Sequence, residues 1–344
     1  MLTKTFQVAV LLAAMLCTST AYADAYEDAV AAQAKKNYPL ALDKFKQAAA
    51  QGNASAQFQL GTIYDGGKQG AIQNYPEAIK WYKLAATQGH PLSQFFLGMK
   101  YKFGMGVAQD YVEAMKYYKL AAAQGITSAQ EAVGEMYSDG QGVVQDTSEA
   151  MKWFKLAAEK GNVTAQTNLG LIYANGRGVA QDYVQAMKWF KLAAAQGDAT
   201  SQFQIGQLYV NGNGVAQDYV EGMKWWKLAA AQGDEIAQTN LGISYDIGKG
   251  VVQDYVEATK WYKLAAAQGV TTAQYLLGVM YSNGQGVMQN YTRAHMWWNL
   301  AAVKGNADAI KYRDIVAAKM TNQQVAEAQK LARECQSRNY KKCD

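Results

Sequence analysis

The stretch QDYVEAMKYYKLAAAQG, residues 109–125, decides the fold because near copies of it recur along the chain. One copy spans residues 181–197 and another spans residues 217–233. A catalytic motif is needed only once, whereas a repeated segment is typical of a surface that packs against a copy of itself. The stretch therefore predicts a repeat protein.

The copies are evenly spaced. A glycine closes each one, and successive closing glycines are 36 residues apart after a first interval of 37. A fixed period of this length without linkers is typical of a solenoid, so we expect seven units over residues 52–304 in one continuous array rather than two domains. The closing glycines are Gly52, Gly89, Gly125, Gly161, Gly197, Gly233, Gly269 and Gly305.

Each unit carries the signals of two helices. A short first helix, as at residues 165–173, is followed by a loop with two glycines, Gly176 and Gly178. The second helix, expected near residues 111–124 in one unit, starts at an aspartate with a glutamate three residues later and ends at the closing glycine. The pairs that predict a reciprocal capping box are Asp110 with Glu113, Asp146 with Glu149, Asp218 with Glu221 and Asp254 with Glu257.

Two further features recur in every unit. Each second helix carries an aromatic pair, such as Tyr117-Tyr118, and alanines on the same helical face, which favours a core between units over a ligand-binding ladder of rings. Each first helix carries an invariant glutamine, which we expect to tie down the inter-helix loop through its amide. These glutamines are Gln57, Gln94, Gln130, Gln166, Gln202, Gln238 and Gln274.

Residues 1–23 have the features of a secretory signal peptide. Lys4 precedes a short apolar run at residues 8–16, and Ala21-Tyr22-Ala23 matches a cleavage site. We therefore expect an exported protein, periplasmic or secreted, after cleavage near Ala23. The apolar run is too short to span a bilayer and no other stretch is apolar enough, so no transmembrane segment is predicted.

The flanks of the array predict caps. Residues 24–51 suit one degenerate capping helix pair, and residues 305–344 predict C-terminal capping helices and a tail, with Thr321 and Gln324 as a capping box. Cys335 and Cys343 are the two cysteines that remain after export. An oxidising compartment favours a disulfide between them.

The pattern A-x-x-x-L-G-x-x-Y, followed by G-x-G-V-x-Q-D-Y-x-x-A-x-K-W-Y-K-L-A-A-x-Q-G, resembles the Sel1-like repeat, a relative of the tetratricopeptide repeat. The resemblance implies an all-α fold, a right-handed α-solenoid of helix-turn-helix units. It also implies an adaptor that assembles complexes in membrane-associated, envelope or host-interaction settings. A cysteine-rich branch is linked to β-lactam binding and hydrolysis, but this chain lacks one disulfide per repeat.

The residues predict no catalytic, metal or cofactor site. His90 and His295 are several units apart, so they cannot share a metal or a triad, and no phosphate-binding or nucleophile motif is present. A net charge of +5 is mild for this length and does not indicate a nucleic-acid partner. We expect a monomer without enzymatic activity.

The columns that vary between units indicate the binding surface. They lie at spacings of four and three on the first helices and so share one stripe of each helix, which by resemblance to tetratricopeptide solenoids lines the concave groove. Changing side chains suit a particular peptide or protein partner, and exposed aromatic members favour binding over mere lack of constraint. This partner stripe comprises Phe58, Thr62, Phe95, Met99, Lys102, Glu131, Glu135, Leu171, Phe203, Gln207, Ile243, Tyr275 and Val279.

Lysine pairs on the second helices support an alternative partner. Their spacing of three places both lysines on one face, which suits an anionic polysaccharide or a membrane surface. The competing interpretation is a solvated convex face, partly neutralised by glutamates one turn earlier. The pairs are Lys80/Lys83, Lys116/Lys119, Lys152/Lys155, Lys188/Lys191, Lys224/Lys227 and Lys260/Lys263.

Overall fold

The computed structural model describes residues 25–341 and Cys343, so the predicted signal peptide lies outside the described residues. Within these residues the regular structure consists of α-helices joined by short turns, with no strand. This confirms the all-α class.

The helices from α2 to α16 each have 13 residues, and they alternate between first helices (α3 to α15, odd numbers) and second helices (α4 to α16, even numbers). The helices are α1 (25–34), α2 (Tyr38–Ala50), α3 (Ala54–Gly66), α4 (Tyr75–Thr87), α5 (Pro91–Phe103), α6 (Tyr111–Ala123), α7 (Thr127–Asp139), α8 (Thr147–Glu159), α9 (Val163–Asn175), α10 (Tyr183–Ala195), α11 (Ala199–Asn211), α12 (Tyr219–Ala231), α13 (Glu235–Ile247), α14 (Tyr255–Ala267), α15 (Thr271–Asn283), α16 (Tyr291–Val303), α17 (Ala307–Ala317) and α18 (Asn322–Ser337).

The chain divides into two compact units, Met1–Ala165 and Gln166–Asp344, and the division falls within α9. In the first unit, each helix from α2 to α7 packs against the next one along the chain. In the second unit, each helix from α10 to α16 packs against the next one along the chain, and α18 packs on α16. Sequential packing of this kind is the contact pattern of a solenoid.

The core of each repeat forms where an aromatic ring lies on a glycine. A Cβ atom built on Gly61 would lie 2.4 Å from the Tyr82 ring, and one on Gly206 would lie 2.4 Å from the Trp226 ring. Only glycine permits this approach, which explains the Leu-Gly motif of the first helix. The buried second members of the aromatic pairs are Tyr82, Tyr118, Phe154, Phe190, Trp226, Tyr262 and Trp298.

The predicted capping boxes are only half formed. The Asp110 carboxylate accepts hydrogen bonds from the N–H groups of Val112 and Glu113 at 2.9 and 3.0 Å, as an N-cap should. The returning bond is absent because the Asp110 N–H donates to the Tyr101 carbonyl at 2.9 Å, and Glu113 pairs with Lys116 instead. The predicted Thr321–Gln324 box forms in both directions and is confirmed.

The invariant glutamines are structural, but their expected partner is wrong. The Gln94 side chain donates to the Ala86 carbonyl at the end of the preceding second helix (3.3 Å) and accepts from Gln124 at the end of its own second helix (2.8 Å). It therefore joins three helices at the junction between repeats rather than the loop within a repeat. Where Lys160 and Lys304 replace the second glutamine, the oxygens of Gln130 and Gln274 are buried without a partner among the described residues.

The non-repetitive ends pack on the last and first repeats. His295 is buried, and Asn299 accepts from Arg313 of α17 at 3.3 Å, so both departures from the repeat pattern serve the contact with the C-terminal helices. At the other end, Phe45 of α2 is fully buried together with Leu60 of the first repeat.

Cys335 and Cys343 form a disulfide with their Cα atoms 5.0 Å apart. The closed tail lies on the last repeat, since Arg293 donates to the Cys343 carbonyl and the Lys304 ammonium lies 4.3 Å from the centre of the Tyr340 ring.

Candidate partner-binding surface

The first column of the partner stripe is mainly a packing column. Phe203 is 9% exposed and stacks on Trp226 with ring centres 6.4 Å apart, and Phe58 stacks on His90 of the next repeat at 4.8 Å. Phe95 and Tyr275 are half-buried against Tyr118 and Tyr312, and the other members are likewise half-buried or buried. The expectation that the aromatic members are exposed is wrong for Phe203, which is buried, whereas Phe58, Phe95 and Tyr275 are half-buried because their rings pack on neighbouring rings.

The second column is accessible in every repeat, whereas Thr167, Phe203 and Thr239 of the first column are buried. All members of the second column are half-buried, so each is partly exposed to solvent. Polar, acidic and apolar side chains alternate in this column along the chain, which gives each repeat a different surface. Its members are Thr62, Met99, Glu135, Leu171, Gln207, Ile243 and Val279.

In the first of the two compact units, the stripe carries a charged cluster. Lys102 of α5 pairs with Glu135 of α7 at 3.0 Å, and Glu131 lies one turn before Glu135. Burial, and secondarily the charge of Glu135, raise the pKa of the Glu131 carboxyl to about 7, although Lys102 opposes the shift. This part of the stripe therefore gains negative charge as the pH rises through about 7.

A second ionic feature, which the repeat pattern does not predict, lies beside the stripe. Lys100 is 4% exposed, pairs with Asp65 of the preceding first helix, and lies 4.5 Å from the centre of the Tyr75 ring. Other repeats carry apolar residues at this position, such as Ile63 and Met136. A single charged residue in a column whose other members are apolar, apart from Ser244, was the available signal.

In the second of the two compact units, two stripe residues line a cavity of about 320 Å³ between α15, α16 and α17. Tyr275 and Val279 form one side, and the opposite side comes from the C-terminal cap. The repeat pattern does not predict that side because α17 does not belong to the repeat register. Its cavity-lining residues are Tyr312, Ile315, Val316 and the adjoining Lys319.

The lysine pairs are largely engaged within the protein. Lys116 pairs with Glu113 at 3.0 Å, a hydrogen bond that raises the pKa of the lysine, and four other first members pair with the glutamate three residues before them. Among the second members, Lys119 lies 5.0 Å from the centre of the Tyr137 ring of the next repeat. These contacts support the interpretation of the lysines as a solvated, neutralised face.

No group of His, Cys, Asp and Glu in residues 25–341 is arranged to hold a metal ion. His90 acts as the N-cap of α5, accepting from the Ser93 N–H at 3.2 Å, and burial lowers the pKa of both histidines. None of the described helices is both long enough and apolar enough to cross a membrane.

These features define a helical-repeat protein of the α-solenoid class with a variable surface on its first helices. The Sel1 repeat model matches residues 54–90, 91–126, 127–162, 163–198, 199–234, 236–270 and 271–306, and the chain belongs to the Sel1 repeat family. Proteins of this family generally mediate protein–protein interactions on a scaffold that is generally non-enzymatic.

Two solved structures illustrate the relationship. A Sel1 repeat protein from Oxalobacter formigenes is 35% identical, with a TM-score of 0.69 and a match that covers 80% of each chain. The protein c5321, a protective antigen present in uropathogenic Escherichia coli strains and displaying an SLR fold, is 30% identical with a TM-score of 0.57, over 88% of this chain and 73% of that chain. A comparison with curated proteins finds no match.

Proposed function

We propose that this protein is a non-enzymatic scaffold of the cell envelope or secreted space that binds a partner protein or peptide through the partner stripe. The observation that carries the proposal is the second column of the stripe, which is accessible and differs in every repeat. A repeated core that carries an accessible column of changing side chains suits one specific partner.

Export is part of the proposal. It is supported by the predicted signal peptide at residues 1–23 and by the Cys335–Cys343 disulfide, since such bonds persist in oxidising compartments. The predicted concave position of the stripe rests on the resemblance to tetratricopeptide solenoids.

The test replaces accessible stripe residues, because truncating the packed ring of Phe203 would disturb the fold. Gln207→Arg and Ile243→Arg place charge in the second column, and Leu228→Arg on α12 is the matched control at a residue that is 50% exposed outside the stripe. The mature protein is immobilised, partners are captured from its own envelope extract and identified by mass spectrometry, and their affinities are measured.

We expect each of the two stripe variants to bind a captured partner at least tenfold more weakly while its thermal unfolding is unchanged. The control variant should bind the partner with unchanged affinity. Partner binding that depends on the stripe should survive moderate salt, whereas binding to an anionic polymer should collapse as salt screens the lysines. Undiminished binding by both stripe variants, or loss of binding in the control, would contradict the proposal.

A further inference from the structure

The cavity between α15, α16 and α17 has the volume and the lining of a binding pocket. Its volume of about 320 Å³ lies within the range of small-ligand pockets, which begins at roughly 300 Å³. Tyr275, Trp298 and Tyr312 supply three aromatic rings to its lining. Such a space admits one large side chain and favours a planar, apolar one.

The aromatic lining is held in place by contacts between its own residues and by the contact with Gly278. The Trp298 indole N–H donates to the Tyr275 carbonyl at 3.1 Å, and the indole lies on Gly278, where an added Cβ would come within 2.5 Å of the ring nitrogen. Trp298 and Tyr312 are stacked with ring centres 5.7 Å apart and planes inclined by 29°. A lining fixed in this way does not need to be ordered when a ligand enters.

Among the described residues, Lys319 is the single charged side chain that lines the cavity. Its ammonium lies 6.0 Å from the centre of the Tyr291 ring, and no described carboxylate forms an ion pair with it. The acidic groups of α17 do not neutralise it: Asp314 pairs with Arg313 at 2.8 Å, and Asp308 lies in the first turn, where its charge acts on Tyr275. The cavity therefore offers aromatic surface together with one ammonium group.

A ligand that matches these features carries an aromatic ring and a carboxylate close together. In a polypeptide, one residue combines the two only when an aromatic residue stands at the carboxyl terminus. We propose that the cavity binds the carboxyl-terminal aromatic residue of a partner polypeptide, with its ring against Trp298 and Tyr312 and its carboxylate on Lys319. This inference rests on the proposed scaffold function and assigns one anchoring point on the partner.

The test measures binding of a fluorescein-labelled peptide, Gly-Ser-Gly-Ser-Trp, by fluorescence anisotropy with the full mature protein. The peptide is prepared as the free acid and as the carboxyl-terminal amide. We expect the acid to bind at least about tenfold more tightly than the amide, because the amide cannot form the charge-assisted contact with Lys319. Lys319→Gln should reduce binding of the acid to the level of the amide and leave the amide unchanged.

Two further variants make the result specific. Tyr312→Ala removes one wall of the cavity at a residue that is 39% exposed and should weaken both peptides, whereas Lys330→Gln on α18 should alter neither. Equal binding of acid and amide, loss of selectivity with Lys330→Gln, or no binding at millimolar peptide would overturn the inference. If Ile243→Arg still abolishes partner capture in that case, the scaffold function stands and only the cavity assignment fails.

Discussion

At the scale of single residues, the glutamine contacts at the repeat junctions show how a repeat responds to one substitution. In the repeat that ends at Gln124, the oxygen of Gln94 accepts from that side chain at 2.8 Å. In the next repeat Lys160 stands at the equivalent position and donates to the Gly125 carbonyl at 3.1 Å, which leaves the oxygen of Gln130 buried and without a partner in the part of the chain that the structure describes. An unsatisfied buried acceptor destabilises the fold.

We therefore predict that Lys160→Gln stabilises the protein. The new amide can donate to Gln130, and the expected gain in the free energy of unfolding is about 0.5–1.5 kcal/mol, typical of one buried hydrogen bond. Urea unfolding followed by circular dichroism measures the change. The adjacent exposed variant Glu159→Gln should have no effect, and an unchanged or lower stability of Lys160→Gln would contradict the prediction.

The raised pKa of Glu131 predicts that the stability of the protein depends on pH. Its folded-state pKa of about 7 is raised above the ordinary value near 4.5, so the folded protein holds a proton that the unfolded chain has released between these pH values. Stability should therefore fall as pH rises from about 4.5 to 7, by a total on the order of 1–2 kcal/mol once solvent screening is allowed for.

The variant Glu131→Gln isolates this contribution. It should flatten the pH profile and be more stable than the parent at pH 8 but not at pH 4, because the neutral amide resembles the protonated carboxyl. Thermal unfolding at several pH values provides the measurement. A parent profile that rises through this window, or a variant with the same slope, would be inconsistent with a raised pKa.

At the scale of helices and loops, the aspartate N-caps have two partners rather than one. The Asp110 side chain caps α6, while its backbone N–H is bonded to the Tyr101 carbonyl at the end of α5. The same bond recurs in later repeats, for example from Asp146 to Tyr137 at 2.9 Å. This bond joins the end of the loop to the first helix of the repeat. Glu113 does not bond to the Asp110 N–H and pairs with Lys116 instead.

The C-terminal tail supplies a prediction at this scale. The disulfide closes a short loop in which Asn339 and Tyr340 have positive φ angles of 50° and 63°, a conformation that non-glycine residues rarely adopt. Replacing both cysteines by serine should release the tail from α16 while leaving the repeats folded. Chain-entropy reasoning limits the loss of stability to about 2–3 kcal/mol.

Two measurements check this. If the proposed export occurs, intact mass of the protein from that compartment, after thiol alkylation without reductant, should show no modified cysteine. Hydrogen exchange should accelerate near residues 335–341 only in the serine variant. Two alkylated cysteines would show that the bridge is absent, and accelerated exchange throughout α10 to α16 would show that it supports more than the tail.

At the scale of the whole molecule, the repeat register predicts that a complete repeat can be deleted without loss of folding. Residues 193–198 and 229–234 have the same sequence, AAAQGD, so deleting residues 197–232 removes α11 and α12 and restores an identical junction. Because each repeat contacts mainly its neighbours, the shortened protein should fold with a nearly unchanged helical fraction and a smaller unfolding enthalpy. Circular dichroism and calorimetry test this, and an unfolded product would refute it.

The sequence by itself determined the number of repeats, the position of nearly every helix and the residues of the core. These properties depend on local signals and on contacts between adjacent copies, and a periodic pattern records both directly. The buried ring of Tyr82 and the glycine beneath it, Gly61, recur in register, so their role could be inferred from the repetition alone.

Only the tertiary structure decided which side chains of the partner stripe remain accessible and where the cavity lies. Phe203 and Ile243 belong to the same predicted stripe, yet one is packed and the other reaches solvent, since exposure depends on how neighbouring helices fill space. Lys100 is buried because Asp65 of another helix meets it. The cavity requires the non-repetitive helix α17 opposite Tyr275, a contact that no periodic pattern encodes.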